Sequence, residues 1–222
     1  MPAQNSGAIG TAVATVTGGN STSADSTAIF QELSGMPDMV RAVTKGESAM
    51  GIAGAAFSTF GSPVNNAADT IAFSAKVVGG GVQTTDDQGI WSRTAAGVLT
   101  LVAREGAEPP DGPAGAKWKA FKSLALPGGT AGPLFTATLL KDAGGITSID
   151  DFAFYRVDST GVARELVREN QPLLGRVVKS FTVLKPVVGS PAQTRAFNDE
   201  GEIVLNVAFT DGISAILRIT VP

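Results

Sequence analysis

Four aspartates recur along the chain: Asp25, Asp86, Asp150 and Asp211, in steps of 61, 64 and 61 residues. Asp87 and Asp151 double two of them. The first three each stand three residues before a small–apolar–aromatic triplet: Ala28-Ile29-Phe30, Gly89-Ile90-Trp91 and Ala153-Phe154-Tyr155. Asp211 stands four before Ala215-Ile216-Leu217. Carboxylates fixed at one place in a repeat support three chemistries. Asp25, Asp86, Asp150 and Asp211 gathered at one rim would hold Ca²⁺ through hard oxygen ligands. Two Asp/Glu at a suitable separation hydrolyse a glycoside, and Asp86, Asp87, Asp150 and Asp151 are the nominal members of such a pair. An Asp also caps a turn by accepting hydrogen bonds from nearby backbone N–H groups. No run carries the alternating ligands and closing Glu of an EF-hand loop, which favours the capping role.

A basic–acidic pair recurs at the predicted end of a strand: Lys45 with Glu47, Arg104-Glu105 and Arg168-Glu169. It reads either as a charged rim for an anionic ligand or as solvated ion pairs at strand ends. Phe60, Phe121 and Phe181 are evenly spaced like the triplets, and a fixed place in a repeat points to core packing. Trp118 falls outside those markers, beside Lys117 and Lys119. It is the best single candidate for a ligand contact, with Asp86 and Asp150 as companions; cover for the neighbouring Pro-rich loop is the plainer reading.

The chain has no His and no Cys, so Ser-His-Asp and Cys-His triads are impossible and disulfides are excluded. No Gly-x-Ser-x-Gly elbow, Ser-x-x-Lys or P-loop is present. The formal net charge is −3, and no Lys/Arg cluster provides the basic footprint that nucleic acid requires. The longest apolar run, at residues 49–57, is too short to span a bilayer. Residues 1–5 lack the basic start and apolar stretch of a signal peptide, so the expectation is either a cytoplasmic chain or one whose leader is not part of this sequence.

Only 17% of residues are charged, while 43% are hydrophobic and Gly reaches 27 of 222. That composition, rich in turn formers and β-branched residues, predicts an all-β chain. A period near 60 residues signals an array of one supersecondary unit. The predicted first strands are 12–17, 70–78, 133–140 and 202–210. In 70–78, Ile71, Phe73, Ala75 and Val77 alternate with Ala72, Ser74 and Lys76, the pattern of a half-buried strand. Second strands carry the triplets. Third strands are predicted at 39–44, 98–104 and 164–168, and fourth strands at 55–62, 117–126 and 177–185. Glu108-Pro109-Pro110-Asp111-Gly112-Pro113 cannot continue a ladder, because Pro lacks the donor. It must connect a third strand to a fourth.

Four antiparallel strands per repeat is the design of a propeller blade. The expectation is one β-propeller-like repeat domain over 1–222, with repeats at 8–65, 66–127, 128–197 and 198–222. The last repeat carries two strands, so self-association through it is one way to complete the array.

Leu99-Thr100-Leu101-Val102-Ala103-Arg104-Glu105-Gly106-Ala107-Glu108-Pro109, Asn198-Asp199-Glu200-Gly201-Glu202-Ile203-Val204-Leu205 and Gly89-Ile90-Trp91 resemble segments of an uncharacterised family of secreted bacterial β-repeat proteins. The resemblance implies a propeller-like fold and an extracellular or cell-surface location. The third repeat departs from the pattern, with Gly128-Gly129-Thr130-Ala131-Gly132 in place of Asn-Asp-x-Gly and Arg168-Glu169-Asn170 in place of Arg-Glu-Gly. The functional expectation is a non-enzymatic binding or scaffold module with a glycan or protein ligand. A carboxylate-based glycan hydrolase or lyase is the enzymatic alternative, and a structural subunit that self-associates is the third.

Overall fold

The computed structural model of the protein describes residues 3–4, 10–128, 132–188, 190–194, 196–198 and 201–220. Parts of the expected turns at 128–132 and 198–201, and the expected chain end at 221–222, lie outside the described residues. The chain divides into two compact units, Met1–Arg104 with Val187–Gln193, and Glu105–Pro186 with Thr194–Pro222.

The first unit holds two antiparallel sheets. Sheet 1 runs in the order β1 (Ala3–Gln4), β2 (Gly10–Thr15), β3 (Thr27–Glu32), β4 (Met39–Thr44). Sheet 2 contains β5 (Ala55–Phe60), β6 (Val64–Asn65), β7 (Ile71–Gly79), β8 (Gln88–Arg93) and β9 (Leu99–Arg104). Its order is β5-β7-β8-β9, with β6 also on β7. Alternation along β7 turns Phe73, Ala75 and Val77 to one face, where they join Phe57 and Trp91 and meet Ile29 and Val43 of sheet 1. One sheet therefore covers one face of the next.

The second unit repeats the plan. Sheet 3 is β10 (Trp118–Ala125), β11 (Leu134–Leu139), β12 (Phe152–Val157), β13 (Ala163–Arg168), in that order. Next along the chain come β14 (Pro172–Leu173), β15 (Arg176–Thr182), β16 (Pro186–Val187), β17 (Ser190–Thr194), β18 (Glu202–Phe209) and β19 (Ser214–Thr220). Sheet 4 is ordered β14-β15-β18-β19; β16 pairs with β17 apart from it, and residues 187–193 are counted with the first unit. Leu134, Phe154 and Val167 of sheet 3 pack on Phe181, Leu205 and Val207 of sheet 4. This is the same face-to-face scheme as in the first unit.

Every predicted strand is present, but sheets and sequence repeats are out of phase by one strand. The fourth strand of each repeat pairs with the first strand of the following one: β5 with β7, β10 with β11, β15 with β18. The connections explain this. After β5 the chain stays in the sheet, since Gly61 N–H donates to Ser74 O at 2.8 Å. Between β9 and β10 lies the Pro-rich loop, which cannot form a ladder and carries the chain to a new sheet. That loop is pinned where Arg164 Nη1 meets Asp111 Oδ1 at 2.9 Å.

Two details recur in register. The third strand skips one residue opposite the triplet in three sheets: Ile29 faces Val43 and Phe30 faces Arg41, Ile90 faces Ala103 and Trp91 faces Leu101, Phe154 faces Val167 and Tyr155 faces Glu165. Such a bulge sharpens the local twist. In two places the turn after a first strand also presses on the linker that follows the third strand of the preceding repeat. Gly80 has φ +61°, and a Cβ there would lie 2.2 Å from Ala53 O. Its counterpart Gly144 has φ +61° as well and would lie 2.3 Å from Ala116 N. Only glycine satisfies both the left-handed backbone and the contact.

Candidate functional site: turn carboxylates and the open face of sheet 4

Each recurring Asp closes the turn before a second strand. Asp25 Oδ1 accepts from Thr22 N–H at 2.6 Å and from its hydroxyl at 2.8 Å. Asp150 Oδ1 does the same with Thr147, at 2.7 and 2.8 Å. Asp86 Oδ1 accepts from Gln83 N–H at 2.7 Å, and Asp211 Oδ1 from Ile213 N–H at 3.1 Å. The donors around Asp25, first the Thr22 backbone N–H, hold its carboxyl below the ordinary value.

The second oxygen goes to a basic residue at a strand end. Arg104 stands opposite Gly89 and Arg168 opposite Ala153. Arg104 Nη2 meets Asp86 Oδ2 at 2.8 Å, while its Nε donates to Asp86 O at 3.0 Å. Arg168 Nη1 meets Asp150 Oδ2 at 3.3 Å. Asp211 pairs with Arg176. In sheet 1 the opposing position is Thr44, and Lys45 Nζ instead donates to Ser23 O at 2.7 Å. In sheets 2 and 3 the recurring Asp and the recurring basic residue are therefore partners. The doubling carboxylates pair with first strands or their ends: Lys76 with Asp87 at 2.9 Å and Lys141 with Asp151 at 3.7 Å. Among the described residues no three His, Cys, Asp or Glu side chains converge where a metal ion could sit.

Trp118 is only 4% exposed. It occupies in sheet 3 the place of Phe57 in sheet 2, since Phe57 faces Val77 and Trp118 faces Leu139 before the same register shift. Its ring packs edge-on against Tyr155 at 5.7 Å and Phe135 at 6.1 Å. The signal was available in the sequence, because Trp118 precedes Phe121 by three residues, as Phe57 precedes Phe60.

Sequence reasoning missed a buried polar group in sheet 3. Arg168 Nε lies 3.1 Å from both oxygens of Glu165, so one guanidinium serves Glu165 and Asp150. Burial pushes the Glu165 carboxyl above its ordinary value, and Arg168 opposes part of that rise. Tyr155, which faces Glu165, is pushed up by burial first and by the Glu165 charge second. Because the folded-state value of Glu165 exceeds the unfolded one, the folded protein binds the extra proton from about pH 4.5 up to the raised value. The stability tied to that proton is complete below the window and lost as pH rises through it. The stability of wild type relative to Glu165→Gln should therefore fall in urea titrations as pH rises above about 4.5. A difference that stays constant with pH would sink this account.

Sheet 4 differs in what it leaves uncovered. Ile29, Ile90 and Phe154, the central residues of the first three triplets, are wholly buried, whereas Ile216 is 78% exposed. Val204, paired with Arg218 of β19, is 45% exposed, while its counterparts Ala72 and Leu134 are wholly buried. Val183, Lys185, Ala196, Val204, Asn206 and Ile216 line a groove of about 240 Å³ on this face. A second depression, bounded by Glu202 and Arg218, adjoins it at Ala196 and Val204.

Antiparallel sheets that cover one another, with repeated polar residues spent on turns and strand ends, define an all-β repeat protein. The model of a family of unknown function, DUF7453, matches residues 5–222, and the chain belongs to that family. A comparison with curated proteins found no match.

Proposed function

We propose that the chain is a non-enzymatic binding or scaffold module of an exported bacterial surface protein, built as a propeller-like array of its four-stranded sheets. The open apolar face around Ile216 carries this reading, because Ile216 is exposed at the place where the central residues of the other three triplets are wholly buried. The fates of the carboxylates support it. Asp86 and Asp150 have both oxygens engaged by turn donors and guanidinium groups. A carboxylate held in that way is poorly placed to attack a glycoside or to shuttle its proton.

A glycan array combined with a hydrolysis screen of the full chain tests the reading. Binding without turnover is the expected result. Turnover that disappears in Asp86→Asn or Asp150→Asn would overturn it in favour of a carboxylate-based hydrolase.

A further inference from the structure

In sheets 1 to 3 the second strand lies between two others, with β4, β9 or β13 on its outer side. β19 holds the same place in sheet 4, yet among the described residues no strand pairs with its outer edge. The three outer strands share a chemistry: Met-Val-Arg-Ala-Val-Thr, Leu-Thr-Leu-Val-Ala-Arg and Ala-Arg-Glu-Leu-Val-Arg. Each sets a buried small apolar residue opposite the centre of the triplet, Val43 on Ile29, Ala103 on Ile90 and Val167 on Phe154. In two of them the next residue is the Arg that reaches the turn Asp.

β19 presents the matching receptors. Ile216 is exposed where Ile90 and Phe154 are buried. Asp211 stands at the turn before β19 with its side chain 45% exposed, and Arg176, itself 44% exposed, is its present partner. We propose that the outer edge of β19 accepts an antiparallel strand from a partner protein, an extended run of alternating apolar residues that ends in a small apolar residue and an arginine. This rests on the binding-module reading above. Free N–H and C=O groups of the edge supply main-chain hydrogen bonds. Ile216 gains an apolar neighbour, and the arginine bonds to Asp211 as a charge-assisted donor. A second copy of the chain is a poor donor, because its β4, β9 and β13 are already paired within its own sheets.

The probe is a synthetic peptide with the sequence of residues 97–106, titrated into the full chain by calorimetry and thermal melting. The expected result is saturable binding of one peptide per chain and a raised melting temperature. Arg104→Glu within the peptide should weaken binding about threefold to tenfold. Ile216→Glu in the chain, at a site exposed enough to leave folding intact, should weaken it at least as much. The proposal is overturned if the peptide does not saturate, or if a scrambled peptide binds equally well. It is also overturned if the chain alone forms a dimer that Ile216→Glu dissociates, since a second copy would then own the edge. The glycan screen reads out on turnover, so failure of the module reading is seen separately from failure of the peptide to bind.

Discussion

Trp91→Ala should cost the first unit about 3–5 kcal/mol, the range for removing a large buried aromatic. The ring is wholly buried. It meets Phe57 edge-on at 5.0 Å and stacks on Phe73 at 6.2 Å. Its Nε1–H donates to Met50 O at 2.9 Å, so the substitution also leaves that carbonyl without its side-chain donor. A linked variant sharpens the test. A Cβ on Gly89 would lie 2.7 Å from two carbons of the Trp91 ring. Gly89→Ala should thus destabilise by about 1–3 kcal/mol through overpacking. Adding Trp91→Phe should relieve the clash, since sheet 1 already combines Ala28 with Phe30. The pair must be non-additive, because each residue sets the space for the other. Hydrogen exchange of β7 and β8 amides would read the first unit directly. A loss below about 1 kcal/mol for Trp91→Ala, or additive effects of the two substitutions, would refute the packing described.

Arg168→Met should be far more damaging than Arg104→Met, although the two arginines hold equivalent positions. Arg168 is 8% exposed and its partners Asp150 and Glu165 are 14% and 16% exposed. Removing the cation strands two poorly solvated carboxylates, a loss of about 3–5 kcal/mol for a buried pair. Arg104 and Asp86 are 26% and 33% exposed, and water compensates much of the loss, leaving about 1 kcal/mol or less. Acid should narrow the Arg168→Met deficit, because protonated Glu165 no longer needs the cation. Urea titrations of both variants at pH 7 and pH 4.5 would decide. Equal costs for the two substitutions would show that burial does not govern this motif.

The architecture was legible because its signals are local. Alternation in 70–78, glycine turns and the spacing of the triplets place the strand ends within three residues of those observed. Pairing was less legible, since it depends on which connection can form a ladder. The repeat alone does not show that Gly61 continues a sheet while Pro109 and Pro110 leave one. The aspartates and the strand-end arginines were legible as two separate patterns. Their partnership requires knowing that Arg104 lies opposite Gly89, a cross-strand relation. Trp118 was misplaced by its lysine neighbours, although its distance from Phe121 already matched that of Phe57 from Phe60. Glu165 gave no signal, because a glutamate in an alternating strand looks solvent-facing until the bulge at Leu166 turns it beside Tyr155. The exposure of Ile216 could not be read either, since its triplet looks like the other three.

The phase offset between repeat and sheet decides where this chain can be divided. A cut at a repeat boundary, such as 65/66, separates β5 from β7 and strips an edge from sheet 2. Cuts within 45–54, 105–117 or 169–171 fall in linkers and leave every sheet with all of its strands. Shuffling or dissecting this protein by its sequence periodicity would therefore break it at its hydrogen-bonded seams, whereas dissecting it at the linkers between sheets would yield whole sheets.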